Sequence, residues 1–560
     1  MIDQTRHPGE CHELVRHKYL WVAIGAGALV VILGIAAGAY VLLRTKGSPK
    51  STASTFLSAW EHGDSAEMRA AILSPPPDLD QQYQALRTGI GVKAVRTTLG
   101  TVTKQDGGHA IAPFTADLVL PMGTWRYQGR LRLVTNQHKW KVAWSPESIH
   151  PDLHAGQHLA TSYQWPKRAH VLAANGALID GTDVSGSVQQ LVGGTAALTD
   201  KQAKRLGTSY RKGDVVGRSG IQQRFDKRLA GIPTASVTVA DASNHPVKTV
   251  GGFPGKPGRD VRTTLDPHTE RAAAAAVQGQ SKPTSMVVLR PSNGQILAVA
   301  NVPGGFDRAM QGIYPPGSTF KVVTAYALLR SGLSPSAKVE CPKKADVGGQ
   351  VIHNSEGEEL GSITFSDALA QSCNTAFALQ TQRRLSPARL SSAASLFGFN
   401  QKIDPGVRVA AGSYPSPTGT AEMAVSGFGQ GRDLANALNM AGVAAGVSSG
   451  TWRPPTFVSE PAVPQKAKAG RLDPTARAQL AQMMREVVTK GTAKPAGLPA
   501  GTYGKTGTAE YSSGHNGKQP PTHAWFIGFR GDVAFAVIVE GGGFGAKVAA
   551  PIAKRFLNGL

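Results

Sequence analysis

The chain has 560 residues, 41% hydrophobic and 17% charged, a balance that excludes a disordered chain and leaves room for roughly three or four domains with their own cores. Lys and Arg outnumber Asp and Glu by 60 to 37, a formal charge of +23. That sign permits contact with nucleic acid, anionic lipid or an acidic polymer and selects none of them.

Residues 20–43, LWVAIGAGALVVILGIAAGAYVLL, run for 24 residues without a charge, longer than the roughly 20 needed to cross a bilayer as a helix. The run exceeds a signal-peptide core and no convincing cleavage site follows, so a retained membrane-spanning helix is expected after a tail of residues 1–19. Arg16 and Lys18 precede it, and Arg44, Lys46 and Lys50 follow. With basic residues on both sides, charge bias does not fix its orientation.

A polar linker occupies 44–54. From Thr55 to Leu73 an amphipathic helix is predicted on Phe56, Leu57, Trp60, Met68 and Ile72, ended by the prolines at 75–77. Alternating apolar residues then predict strands with one buried face: Ala116, Leu118 and Leu120, then Trp125, Tyr127, Leu131 and Leu133, then Trp140, Val142 and Trp144. Residues 51–150 thus form a small α+β domain. Residues 151–262, rich in Gly, Thr and Val, predict a β-rich region. From 263 to 560 helical and strand patterns alternate, as in HTERAAAAAVQG followed by SMVVLR and QILAVAN, and predict one large α/β domain.

Of the three cysteines, Cys11 precedes the apolar run and Cys341 and Cys373 follow it. A Cys341–Cys373 disulfide is open to the chain in an oxidising compartment, but two free, partly buried thiols fit better.

Three motifs in the last domain carry chemistry. In YPPGSTFKVV, Ser318 follows Pro-Pro-Gly and precedes an apolar run, so a buried helix is predicted to begin at the serine and set Lys321 beside it. A second Ser-x-x-Lys, Ser209 to Lys212, lies among charged residues before a glycine and reads as a solvated turn. Ser372-Cys373-Asn374 is the only Ser-x-Asn in the chain. Lys505-Thr506-Gly507-Thr508, followed by the apolar AWFIGF, suits a strand edge that offers a cation and hydroxyls to an anionic ligand. Ser372 lies 51 residues after Lys321, and Lys505 lies 131 after Asn374.

In that order the motifs make residues 263–560 resemble the penicillin-binding proteins and serine β-lactamases. The resemblance implies that Ser318 is acylated and that Lys321 takes its proton. It implies that Ser372 and Asn374 orient Lys321, relay the proton to the leaving group and hold the substrate amide. Lys505, Thr506 and Thr508 would bind the substrate carboxylate, and Gly507 completes that strand motif. The backbone N–H groups of Ser318 and Thr508 would form the oxyanion hole. No cofactor and no metal is implied.

Between Thr375 and Thr420 no glutamate is present to activate a deacylating water, so the acyl-enzyme is expected to wait for an amine. That favours a D,D-transpeptidase of peptidoglycan over a carboxypeptidase, a β-lactamase or a non-catalytic β-lactam sensor.

The front half resembles the monofunctional, class B penicillin-binding proteins, because residues 44–150 are too short and too β-rich for a glycan polymerase. Residues 51–150, closing in WKVAWSPESIHPDL, look like the cone-shaped extension domain of methicillin-resistance-type enzymes. VVGRSGIQQRFDKRLAG at 215–231 looks like the class B pedestal or dimerisation region, while RAHVLAANG at 168–176 departs from the family pattern. The resemblance implies a cytoplasmic tail, a single-pass anchor in the bacterial cytoplasmic membrane and an extracytoplasmic catalytic domain. It also implies stem peptides and β-lactams as ligands and a separate membrane glycan polymerase as partner.

Other motifs fail on inspection. Position 499, where a phosphate-binding loop ending in Gly504-Lys505-Thr506 needs its first glycine, is proline. His150, His154 and His158 have helical spacing, but Pro151 and Gly156 oppose a helix there. Nucleic-acid binding would rest on net charge alone and is not expected.

Overall fold

The computed structural model describes residues 25–35, 45–207, 209–511 and 521–560. Most of the apolar run at 20–43 lies outside them; 25–35 are helical, and no described helix is long and apolar enough to cross a membrane.

Two compact units are present. The first joins the chain up to Gln164 with Pro233–Gly255. Its helices are α1 (Pro49–His62), α2 (Ser65–Ala71) and α3 (Leu79–Gly89). The single helix expected over 55–73 is therefore broken. Gly63, at φ +71°, caps α1 in the left-handed region, and Asp64 accepts a hydrogen bond from the Glu67 amide to start α2.

Strands β1 (Ala94–Leu99), β2 (Thr103–Gln105), β3 (His109–Leu120), β4 (Gly123–Asn136) and β5 (Lys139–Val142) form an antiparallel sheet, in order β1-β3-β4-β5 with β2 on β3. The buried residues of β3 and β4 alternate as the sequence predicts. A second sheet, β8-β7-β6, is built from β6 (His158–Gln164), β7 (Thr234–Ala240) and β8 (Pro246–Phe253), and its Leu159, Val237 and Val239 share the core of the first. The segment 151–262, read as one region, is thus divided, because Thr234 pairs with Gln164 across 70 residues of chain.

The second unit comprises Trp165–Ile232 and Lys256–Leu560. In its first segment Arg168 is held by Asp226 at 2.9 Å and by Gln222 at 2.8 Å. The strand Val261–Thr263 lies parallel to Val171–Leu172 and antiparallel to Val458–Glu460, which stitches the two segments together.

At its centre is a five-stranded antiparallel sheet in order β10-β9-β17-β16-β15. The strands are β9 (Thr284–Arg290), β10 (Gln295–Val302), β15 (Tyr503–Glu510), β16 (Thr522–Arg530) and β17 (Val533–Val539). β9, β16 and β17 are buried at nearly every position, so both faces are covered. Helix α4 (Pro267–Val277) packs on β10, α7 (Ala437–Ser449) on β17 and β9, α8 (Pro474–Thr489) on β15, and α9 (Ala549–Asn558) against α4 and β16.

Helices α5 (Lys321–Arg330) and α6 (Asn374–Arg384) lie to the β15 side of this frame. Between them run β11 (Lys338–Cys341), a hairpin of β12 (Lys344–Val347) and β13 (Gln350–His353), and β14 (Gly361–Thr364), which returns to pair with β11. Cys341 and Cys373 form a disulfide with Cα atoms 6.2 Å apart. This corrects the expectation of two free thiols: the return of β14 to β11 brings the 341 end of the hairpin under the start of α6.

Candidate active site

Each motif is fixed by its local backbone. Ser318 stands in the 3-10 turn Gly317–Phe320, which runs directly into α5. The α-helix proper therefore starts at Lys321, three residues later than expected, yet Ser318 and Lys321 still belong to one continuous helical segment. Gly317 has φ +53°, and a Cβ there would meet the Thr508 carbonyl oxygen at 2.7 Å. Its amide donates to the Gly429 carbonyl at 2.8 Å. Glycine is thus required where the Ser318 turn passes between β15 and the 427–436 loop. Gly507 answers from the strand side, where a Cβ would meet Thr319 at 2.8 Å and Trp525 at 2.9 Å.

Lys321 is fully buried. Its Nζ donates to the Ser372 carbonyl at 2.6 Å and Asn374 Oδ1 at 2.6 Å, and lies 3.3 Å from Ser372 Oγ. Lys505, also fully buried, donates to Ser372 Oγ at 2.8 Å and the Thr506 carbonyl at 3.0 Å. One hydroxyl therefore bridges two amines. Burial, and then the charge of Lys505, push the Lys321 pKa well down; burial pushes Lys505 down to about 7. Lys505 can therefore shed its proton near neutrality, and Lys321 gives up its proton far more readily than a lysine in water. Ser372 has φ +62° although it is not glycine, a conformation held by its surroundings. Ser318 Oγ makes no hydrogen bond among the described residues and is half-buried at the cleft floor.

Two cavities meet at Ser318 and Thr508. One, of about 600 Å3, reaches past Ser372, Thr492 and Thr506 to Lys547. The other, of about 350 Å3, reaches past Asn374 and Gln430 to Glu510. The structure thus gathers Ser318, Lys321, Ser372, Asn374, Lys505, Thr506, Gly507 and Thr508 around one cleft.

Sequence reasoning missed several residues here. Thr492 shares a 2.7 Å hydrogen bond with Thr506, and Glu356 and Glu358 form the wall opposite. Gln430 and Gly429 sit in the 427–436 loop, whose Gly-x-Gly-x-Gly spacing was a usable turn signal. The glycine-rich GGGFG at 541–545 brings the Gly545 amide to Thr508 Oγ1 at 3.4 Å, and Phe544 lines the cleft.

The set-aside motifs keep apart. Lys212 is exposed beside Asp200 at 3.9 Å. His150 stacks on Trp125, His154 pairs with Glu147 and His158 with Asn244. No metal-ligand cluster occurs among the described residues.

A serine at a helix start, a Ser-x-Asn turn and a Lys-Thr-Gly edge strand around one cleft are the arrangement of an active-serine, penicillin-recognising domain. Residues 284–558 match the penicillin binding protein transpeptidase domain, 48–157 the NTF2-like N-terminal transpeptidase domain, and 184–263 the penicillin-binding protein dimerisation domain.

The peptidoglycan D,D-transpeptidase PbpA of Mycolicibacterium smegmatis is 29% identical over 357 residues, 53% of this chain and 71% of that protein. Pseudomonas aeruginosa PBP2, solved in complex with WCK 5153, shares the fold at TM-score 0.59 and 24% identity, over 71% of this chain and 96% of that one. A chain from a peptidoglycan synthase complex that coordinates polymerization and crosslinking matches at TM-score 0.60 and 22% identity, over 74% and 93%. The chain thus joins the transpeptidase domain of the penicillin-binding proteins to their dimerisation domain and to an NTF2-like N-terminal transpeptidase domain.

Replacing Gly317 by alanine forces an L-residue into the left-handed region, at a cost of about 1 to 3 kcal/mol, and drives a methyl into the β15 backbone. A lower melting temperature and about 100-fold slower covalent labelling of Ser318 by a fluorescent penicillin are expected. Labelling within threefold of wild type would show that the turn tolerates displacement.

Proposed function

We propose that the chain is a serine-type peptidoglycan D,D-transpeptidase that cross-links stem peptides outside the bacterial cytoplasmic membrane, anchored by residues 20–43. Ser318 Oγ attacks the carbonyl of the terminal D-alanyl bond while neutral Lys321 takes its proton. Ser372, bonded to Lys505 and close to Lys321, passes a proton to the departing D-alanine amine. Lys505, Thr506 and Thr508 hold the substrate carboxylate, and Asn374 its amide. The amides of Ser318 and Thr508 stabilise the oxyanion, each worth about 3 to 4 kcal/mol. An acceptor amine then displaces Ser318. No cofactor takes part; β-lactams acylate the same serine, and a separate membrane polymerase supplies the glycan.

The observation that carries this reading is the single Ser372 hydroxyl shared by two buried amines at a serine where two cavities meet. Two cavities suit a reaction with separate donor and acceptor peptides.

A second reading, hydrolysis, is favoured by Glu358, whose carboxyl in the cleft wall is raised by burial and then by Glu356. It could serve a deacylating water from a side the sequence did not indicate.

The test is intact mass after mixing with a penicillin, followed over hours, with Ser318→Ala as the control. A lasting adduct that needs Ser318, and cross-linked product with D-alanine released when stem peptide and acceptor amine are supplied, are expected. Rapid adduct loss that Glu358→Gln slows would establish hydrolysis instead.

A further inference from the structure

Cys373 stands between the two residues that hold Lys321. On one side the Ser372 carbonyl, on the other the Asn374 side chain, accept from Nζ at 2.6 Å. The sulfur of Cys373 is joined to Cys341 and also caps α6, accepting from the Ala376 amide at 3.3 Å. From Cys341 the chain leaves on the β12–β13 excursion, which carries Ser355, Glu356 and Glu358 into the cleft wall and returns in β14.

Non-covalent ties run beside the covalent one. Asn374 Nδ2 donates to the His353 carbonyl at 2.9 Å. Asn354 accepts from the Thr375 amide at 3.1 Å and donates to the carbonyls of Pro342 and Glu358 at 2.9 and 3.0 Å. Thr375 Oγ1 donates to the Pro342 carbonyl at 2.8 Å. The excursion itself is thinly buried, its inward residues Val347 and Ile352 resting in a small cluster with Ala378, Ala424 and Phe428. Little apolar contact holds it. Ser372 meanwhile keeps a left-handed backbone that only its neighbours enforce.

We propose that the Cys341–Cys373 disulfide is a positioning element of the acylation site, so that the rate at which Ser318 is acylated depends on this bond being oxidised. The proposal rests on the transpeptidase reading above. A dithiol would act by thiol–disulfide exchange: one thiolate attacks a protein sulfur, the S–S bond breaks, and the second thiol closes a cyclic disulfide. The protein gains two thiols as the dithiol loses two hydrogens. Both cysteines are buried, at 0% and 1% exposure, so exchange waits for the excursion to open. With the bond cut, the Ser372 carbonyl and the Asn374 side chain shift together, and Lys321 loses both fixed acceptors at once.

The full chain is reduced with dithiothreitol and its thiols are counted by alkylation and intact mass; one of the three cysteines, Cys11, lies outside the bridge. Penicillin acylation is then measured to saturation for oxidised, reduced and reoxidised wild type and for Cys341→Ser/Cys373→Ser, which keeps a hydroxyl to cap α6. The limiting acylation rate is expected to fall at least tenfold in the reduced and double-serine proteins, with half-saturation changed less than threefold, a melting temperature still above that of the assay, and full recovery on reoxidation.

A folded reduced protein acylated within twofold of the oxidised one overturns the proposal. If the serine pair does not fold, the reduced and reoxidised wild type carries the test on an unchanged sequence. No adduct in oxidised wild type would overturn the acylation reading itself, whereas equal rates overturn only the role of the disulfide.

Discussion

Lys321→Met is expected to slow acylation of Ser318 about 1000-fold, equivalent to about 4 kcal/mol, within the range that removing a positioned general base costs. Methionine keeps the bulk of the buried stem and removes the amine. The effect on stability should be small, because two changes oppose each other. A desolvated amine that has no carboxylate partner, and whose burial costs stability, is removed, which stabilises. The Ser372 carbonyl and Asn374 Oδ1 lose their donor, which destabilises by about 1 to 3 kcal/mol for each group left buried and unpaired.

The pH dependence separates a base from a structural amine. In wild type the rate should rise with pH as Lys321, held well below the usual lysine range by burial and by Lys505, loses its proton. Loss of the Lys505 proton, at a pKa of about 7, acts in the opposite sense by removing the charge that holds the substrate carboxylate. The amines are bridged by Ser372, so both limbs belong to the pair. The variant should lose the acidic limb. Stopped-flow acylation from pH 5 to 9 measures this, and a variant within tenfold of wild type, or one retaining that limb, would remove Lys321 from the base role.

The meeting of the three motifs in one cleft was legible because the chemistry that the resemblance implies needs particular residue types at short spacings: Ser318 with Lys321, Ser372 with Asn374, and a lysine on a glycine-bearing strand. Each lies within one turn or one strand, where sequence fixes geometry. The alternation in β3 and β4 was legible for the same reason. What was not legible depends on contacts between distant segments. The Cys341–Cys373 bridge follows from β14 folding back on β11, and no periodicity records that. The pairing of β6 with β7 across the intervening segment reassigns residues 158–164 and 234–253 to the first unit. Glu356 and Glu358 enter the cleft from before the Ser-x-Asn motif, whereas a search for a water-activating glutamate looks after it. The break at Gly63 was local and readable, but the apolar pattern on both sides masked it.

Asp433→Asn is expected to stabilise the protein, and to do so more as the pH rises. Asp433 lies in the loop that supports the Ser318 turn: Gly429 accepts from Gly317, and Ala435 exchanges backbone hydrogen bonds with Tyr314. Its side chain is fully buried and both carboxylate oxygens lack a hydrogen-bond partner among the described residues. The Ser426 hydroxyl lies close enough to favour the charged form without completing a bond of good geometry, and Arg432 acts in the same sense while paired with Glu422.

Burial outweighs both, and with the charge of Glu422 it raises the carboxyl from 3.8 to about 8. A folded-state pKa above the unfolded value means that stability is fully present below about pH 4 and is lost progressively as pH rises to about 8. At about 1.4 kcal/mol per unit, the loss by pH 8 is on the order of 3 to 5 kcal/mol. Asparagine keeps the shape and never ionises. Urea unfolding of the full chain at pH 4.5 and pH 8 should show the variant close to wild type at the lower pH and more stable by at least 2 kcal/mol at the higher. An offset that does not change between the two would place the cost of Asp433 in packing instead of charge. The same variant tested for acylation shows what the Asp433 carboxyl supplies in this loop: a rate unchanged at pH 8 confines Asp433 to stability, and a lower rate ties the support loop to the position of Ser318.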